Sequence, residues 1–92
     1  MSRYCVDIKE KAQLDLAKLK KDEPKFYAKA LKLIGELYEH PRTGTGKPKQ
    51  LSGDRAGEWR RKISDKHRLV YEIHEHVVEV IVISAWGHYD DK

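Results

Sequence analysis

One stretch of this chain admits a single structural reading: Val77 to Ile83, V-V-E-V-I-V-I. Every residue in it except Glu79 is β-branched, which stiffens χ1, disfavours a helix and suits a pleated sheet. Apolar side chains at both parities imply a strand covered on both faces, so Val77–Ser84 is expected as the central strand of a sheet. Ser84-Ala85-Trp86-Gly87-His88-Tyr89 comes directly after it. A histidine and a tyrosine thus emerge side by side where a rigid element ends, a good place to hold a proton donor still.

The rest of the chain supplies partners for that strand. Arg3 to Ile8 alternates, with Tyr4, Val6 and Ile8 on one side and Arg3, Cys5 and Asp7 on the other, as a short strand does. Ala12, Leu16 and Leu19 recur at helical spacing from Glu10 to Lys21, and Leu14 and Ala17 are expected to widen their stripe. Asp22-Glu23-Pro24 breaks this helix and opens a second, about Pro24 to His40, on the stripe Tyr27, Ala30, Leu31, Ile34, Leu37 and Tyr38. Pro41 to Gly57 reads as a polar loop. Its Thr43-Gly44-Thr45-Gly46-Lys47-Pro48 lacks the spacing of a phosphate-binding P-loop. Glu58–Ile63 and His67–His74 read as strands, joined by a turn at Ser64-Asp65-Lys66, and Glu75-His76 reads as a tight hairpin turn. The order β-α-α-β-β-β predicts one α+β domain over residues 1–92, with an antiparallel helical hairpin on one face of a mainly antiparallel sheet. The other face stays open and carries arginines and lysines.

Charge is unevenly spread. The net charge is +4, and from Pro41 to Arg68 the acidic residues are only Asp54, Glu58 and Asp65 among many Lys and Arg. A basic central stretch in a nearly balanced chain suits either a polyanion or a solvated surface. The single cysteine, Cys5, excludes an intramolecular disulfide. The N-terminus has no apolar leader core and no apolar run approaches a membrane span, so a cytoplasmic protein with no membrane contact is expected. A chain this short buries only about 60% of its unfolded surface, so a second copy or a partner protein would add stability. His74 and His76 lack a third ligand at metal-site spacing, and neither metal nor cofactor is expected.

A small basic protein with an arginine at a strand entry and a histidine at a strand exit has the groups for phosphodiester chemistry. RNA can be cut by its own 2′-hydroxyl, given a base, a cation at the phosphoryl oxygens and an acid for the departing 5′ oxygen. Imidazole suits the acid role and a guanidinium fork suits the cation role. Arg68 and His88 supply both types, and Tyr89 can stack on a base or orient a phosphate. Each residue alone is more often plain polar surface.

Gly44-Thr45-Gly46-Lys47-Pro48, Leu51, Gly57-Glu58-Trp59-Arg60-Arg61-Lys62-Ile63, His67-Arg68-Leu69-Val70-Tyr71 and the closing His88-Tyr89 together resemble the YoeB (Txe) toxins of the RelE superfamily. The likeness runs from the second helix to the end of the chain. It implies a toxin that cleaves mRNA in the ribosomal A site until an acidic, partly disordered cognate antitoxin blocks it, and a possible homodimer. It places the family's catalytic arginine on Arg68, its catalytic histidine on His88 and its terminal tyrosine on Tyr89. Lys47, Arg61 and Lys62 fall on positions expected to hold RNA, and Trp86 is expected either to pack or to stack on a base. One position departs: where these toxins usually carry a glutamate base, this chain has Lys49. Three readings stand open. Neighbouring Lys47 and Arg68 favour a neutral Lys49 that takes the proton or, while charged, steadies phosphate. Glu58 supplies the carboxylate instead. Or the protein is a weak or inactive toxin that still binds.

Overall fold

A helical hairpin needs a break that leaves both helices intact, and Asp22-Glu23-Pro24 provides one. In the computed structural model, which describes residues 3–87, α1 spans Glu10–Asp22 and α2 spans Pro24–Leu37. Pro24 sits in the first turn of α2, where its missing N–H costs nothing. The Glu23 N–H closes α1 by donating to the Leu19 carbonyl at 2.7 Å. The strands are β1 Cys5–Ile8, β2 Lys49–Gln50, β3 Glu58–Lys62, β4 Arg68–His74 and β5 Glu79–Ser84, with a short 3-10 turn at Gly53–Arg55. They form one five-stranded sheet in the order β1-β5-β4-β3-β2. Only the β1–β5 pair is parallel. This is the α+β layer that the sequence predicts.

Burial follows strand alternation. Val80 and Val82 of β5 and Leu69 and Tyr71 of β4 are fully covered, facing Ala12, Leu16 and Leu19 of α1 and Ala30, Leu33, Ile34 and Leu37 of α2. Several details differ from the sequence reading. β5 lies between β1 and β4, so it is interior, but β4 is the middle strand. β5 also starts at Glu79, because residues 75–78 form the turn and leave Val77 65% exposed. On α2 the buried stripe runs through Leu33, while Leu31 and Tyr38 point outward, and on α1 Leu14 does the same. α2 stops at Leu37 with Tyr38 as its C-cap, short of His40. The segment expected as plain loop contains β2, whose two residues are too few to show any periodicity.

β4 and β5 are not in perfect register. Val70 pairs with Ser84 while Tyr71 pairs with Val82, so Ile83 is an extra residue on β5. Such a bulge bends its strand and re-aims the chain beyond it, here residues 85–87.

Candidate RNA-cleavage site on the open sheet face

Residues directly opposite each other in an antiparallel pair share a face of the sheet. Lys49 pairs with Arg60, Arg60 with Val70, and Lys62 with Arg68. These positions lie on the face away from the helices, and Arg68, Lys49 and Arg60 bring positive charge to one end of it. Glu72 of β4, opposite Ile81 of β5, shares this face, as does Asp7 of β1, so the charge turns acidic toward the β1 edge. Strand spacings put the Lys49 and Arg68 backbones about 12 Å apart, within converging reach of two long side chains.

Arg68 is half-buried at the head of β4. One terminal nitrogen donates to the Ser64 carbonyl at 3.0 Å, while its buried Nε has no partner among the described residues. Lys62 pairs with Asp65 at 2.9 Å, which holds the Asp65 carboxyl below its ordinary pKa through that bond and its charge. Lys62 also lines a shallow basin of about 400 Å³ with Lys25, Phe26 and Lys29 of α2, so the basic surface continues around the sheet's end. Glu58, the other candidate base, is engaged by Arg55 at 2.6 Å. Lys49 is exposed beside the sheet edge.

His88 and Tyr89 lie outside the described residues, but the chain leading to them is held at every step. The Ala85 N–H donates to Asp15 Oδ2 on α1 at 2.9 Å. Trp86 packs on His67, ring centroids 4.3 Å apart, and Lys18 places its ammonium 4.3 Å from the indole. The Gly87 N–H donates to His67 Nδ1 at 2.8 Å, and the Arg68 N–H donates to the Gly87 carbonyl at 2.8 Å. Gly87, the last described residue, is therefore held against the head of β4 at Arg68. Trp86 is partly buried and packs against the core.

Arg61 corrects the sequence reading outright. Expected as an RNA contact, it is 0% exposed, because its position on β3 puts it on the core side with Trp59 and Ile63. Its guanidinium donates to Glu36 Oε1 at 2.6 Å and to the carbonyls of Thr43 and Thr45 at 2.6 and 3.2 Å. It also donates to the His40 carbonyl and, through Nε, to the Tyr71 hydroxyl at 3.2 Å. The Tyr71 hydroxyl in turn donates to the Pro41 carbonyl at 2.7 Å, and burial pushes that phenol's pKa up, keeping it a donor. Glu36 receives the Thr45 hydroxyl at 2.7 Å and the Thr45 N–H at 2.9 Å. Burial, the largest influence on Glu36, pushes its carboxyl up, but the bonds from Thr45 and Arg61 together outweigh it and hold it below its ordinary pKa. Five polar partners around one buried cation tie residues 40–45 to α2 and β3.

That knot explains the G-x-G-K-P sequence. A Cβ on Gly44 would meet Glu36 Oε1 at 2.5 Å. One on Gly46 would crowd Arg61, Leu33 and the Lys62 carbonyl at 3.1–3.2 Å. The Gly46 carbonyl accepts from the Lys62 N–H at 2.7 Å. The loop then turns outward through Lys47, whose φ of 52° is left-handed, and delivers Lys47 and Lys49 exposed to solvent. The glycines thus serve packing, and the lysines after them reach the surface. The sequence alone did not show the role of Glu36 or His67. For His67 a signal existed: it shares the parity of Leu69 and Tyr71, and an inward-facing histidine needs partners.

Among the described residues no group of three or more His, Cys, Asp or Glu could hold a metal ion, and no helix is long and apolar enough to cross a membrane.

Known proteins are similar to this chain in sequence and in fold. Residues 8–89 match the family model described as "YoeB-like toxin of bacterial type II toxin-antitoxin system". A "Toxin YoeB" of Mycobacterium bovis and a "Toxin RelK" of Mycobacterium tuberculosis are each 45% identical over 58 residues, 63% of this chain. The match spans 66% of the length of each relative. Among solved structures, a YoeB/ParE toxin from Agrobacterium tumefaciens superposes with a TM-score of 0.85 at 29% identity, covering 92% of this chain and 99% of that one. A YoeB dimer from Staphylococcus aureus gives 0.79 at 25% identity, covering 96% and 100%. A YoeB–YefM complex from the same organism gives 0.78 at 25%, with the same coverage. With the family model matching nearly the whole chain, and solved YoeB structures superposing on its fold, this protein belongs to the YoeB-like toxins of bacterial type II toxin–antitoxin systems.

Proposed function

We propose that this toxin is a ribosome-dependent endoribonuclease that cuts mRNA in the A site and so stops translation. The substrate 2′-hydroxyl attacks the adjacent phosphorus, giving a 2′,3′-cyclic phosphate and a free 5′-hydroxyl. Arg68 steadies charge on the phosphoryl oxygens. His88 gives its proton to the departing 5′ oxygen, and Tyr89 orients the phosphate or the base beside it. Lys49 stands at the edge of the same face, either as the group that takes the 2′ proton or as a second cation on the phosphate. Lys47 and Lys62 hold the RNA chain outside the reacting group. The toxin works in the cytoplasm, where ribosomes are. Its partners are the mRNA-loaded ribosome and a cognate antitoxin, by analogy with the YoeB–YefM complex, and it can pair with a second copy as the staphylococcal dimer does.

One observation supports this reading: the carbonyl of Gly87, the residue that precedes His88 in sequence, accepts from the N–H of Arg68 on the open face. The test is primer-extension mapping of a defined mRNA incubated with purified protein, with and without ribosomes programmed on it. Cleavage only with ribosomes, at a fixed position of the A-site codon, supports the proposal. Intact mRNA in both samples sinks it. Lys49, standing where these toxins usually carry a glutamate, would then favour a silent toxin that only binds.

A further inference from the structure

His67 is 2% exposed, and a histidine so buried needs partners for both ring nitrogens. It has them. The Gly87 N–H lies 2.8 Å from Nδ1, and Glu23 Oε2 lies 2.8 Å from Nε2. An amide N–H can only donate, so Nδ1 is the acceptor and Nε2 carries the proton toward the carboxylate. The bond from His67 draws the Glu23 carboxyl below its ordinary pKa, against a smaller opposing effect of desolvation and with help from Lys66. Phe26 meets the imidazole edge-on, centroids 6.4 Å apart, and Trp86 lies across it. The ring therefore has one orientation and one tautomer. It joins the α1–α2 junction, the head of β4 and the residue just before His88. Consecutive residues, His67 and Arg68, bind the Gly87 N–H and carbonyl respectively.

We infer that His67 is a positioning residue: oriented by Glu23, its imidazole anchors the Gly87 amide and so fixes where the chain enters His88 and Tyr89 relative to Arg68. The inference deepens the catalytic proposal and rests on it for its effect on rate. A ring that merely fills space makes a different prediction. Asn at position 67 puts its carboxamide oxygen near the place of Nδ1, keeping an acceptor for Gly87 and losing Glu23. Gln reaches toward Glu23 and leaves Gly87 without an acceptor. Both lose the ring, so a packing role penalises them alike, or penalises the smaller Asn more.

The experiment measures mRNA cleavage on programmed ribosomes together with hydrogen exchange of the Gly87 amide by NMR, for the parent, His67→Asn, His67→Gln and Glu23→Ala. His67→Gln is expected to lower kcat about 100-fold, the effect of a small misplacement of a reacting group. KM stays within about threefold, and His67→Asn retains kcat within about tenfold of the parent. Gly87 exchange is slow in the parent and His67→Asn and fast in His67→Gln. Equal losses in the two His67 variants, or losses that follow melting temperature alone, overturn the inference. Glu23→Ala empties no core space, so it decides the matter if the His67 variants fail to fold: faster Gly87 exchange supports the anchor and unchanged exchange overturns it. If the parent cuts no mRNA, the catalytic proposal fails by itself, and Gly87 exchange still decides whether the anchor exists.

Discussion

Arg61 and Arg68 sit on adjacent strands of one sheet and belong to opposite worlds. Arg61 points into a closed polar knot where nearly every donor has an acceptor. Arg68 lies on the open face with one terminal nitrogen tied to Ser64 and its Nε without a partner among the described residues. The same side chain is a structural pin in one place and an available cation in the other, and strand parity decides which. Arg60 and Arg61, neighbours in sequence, likewise face opposite sides of the sheet. A motif rich in arginine is therefore not a binding site until its residues are assigned to faces.

The comparison can be broken most forcefully at the knot. Arg61→Met leaves the Glu36 carboxylate and three carbonyls short of a donor, and removing one partner of a buried ion pair costs about 3–5 kcal/mol. Urea denaturation reads this directly. A loss below about 1 kcal/mol would show that the pair acts like an exposed one. On the open face the signature reverses. Lys49→Ala should slow mRNA cleavage about 100-fold, the lower range for losing an acid–base group, with an unchanged urea midpoint. Lys49→Glu should restore much of that rate. If Lys49→Ala and Lys49→Glu both cut as fast as the parent, Lys49 has no part in the chemistry.

Smaller effects sharpen the same contrast. Tyr71→Phe removes one donor and one acceptor from the knot and should cost about 1–3 kcal/mol in thermal unfolding, with cleavage per folded molecule unchanged. The Glu36 carboxyl is held below its ordinary value of 4.5 in the folded protein. Its stabilisation is therefore complete above that value and is lost as pH falls through the lower folded value. Glu36→Gln should flatten this acid limb of the stability–pH curve, and an unchanged limb would place the acid sensitivity elsewhere. Val78 lies outside both regions, a β-branched residue at a left-handed φ of 52°. Val78→Asn should stabilise the protein by about 1 kcal/mol while leaving cleavage as it was.

Much of this architecture could be read from the chain because periodicity reports burial. The alternation of Tyr4, Val6 and Ile8, the stripe of Ala12, Leu16 and Leu19 and the apolar run ending in Ile83 each mark the side that faces the core. Arg61 was misassigned even though its parity matched Trp59 and Ile63. Its partners, Glu36 on α2 and the carbonyls of residues 40–45, are distant in sequence and leave no local signal. β2 was missed because its two residues pair only when β3 is in place. The tie between His67 and Gly87 is a contact between residues twenty apart, set by the β4–β5 register and its bulge. The proposed functional face was legible as chemistry, in Arg68, Lys49 and the closing His88-Tyr89, and the fold adds the placement of Arg68 and Lys49 on one face of the sheet.

The central claim is that the open face, and not the knot, does the chemistry. The measurement that tests it most directly is A-site cleavage by Arg68→Ala on programmed ribosomes, with its urea midpoint determined on the same sample. A midpoint near that of the parent with cleavage reduced about 100- to 1,000-fold, the usual consequence of losing a donor to a developing oxyanion, is the predicted result. A stable Arg68→Ala that still cuts the A-site codon at the parent's rate would contradict the assignment.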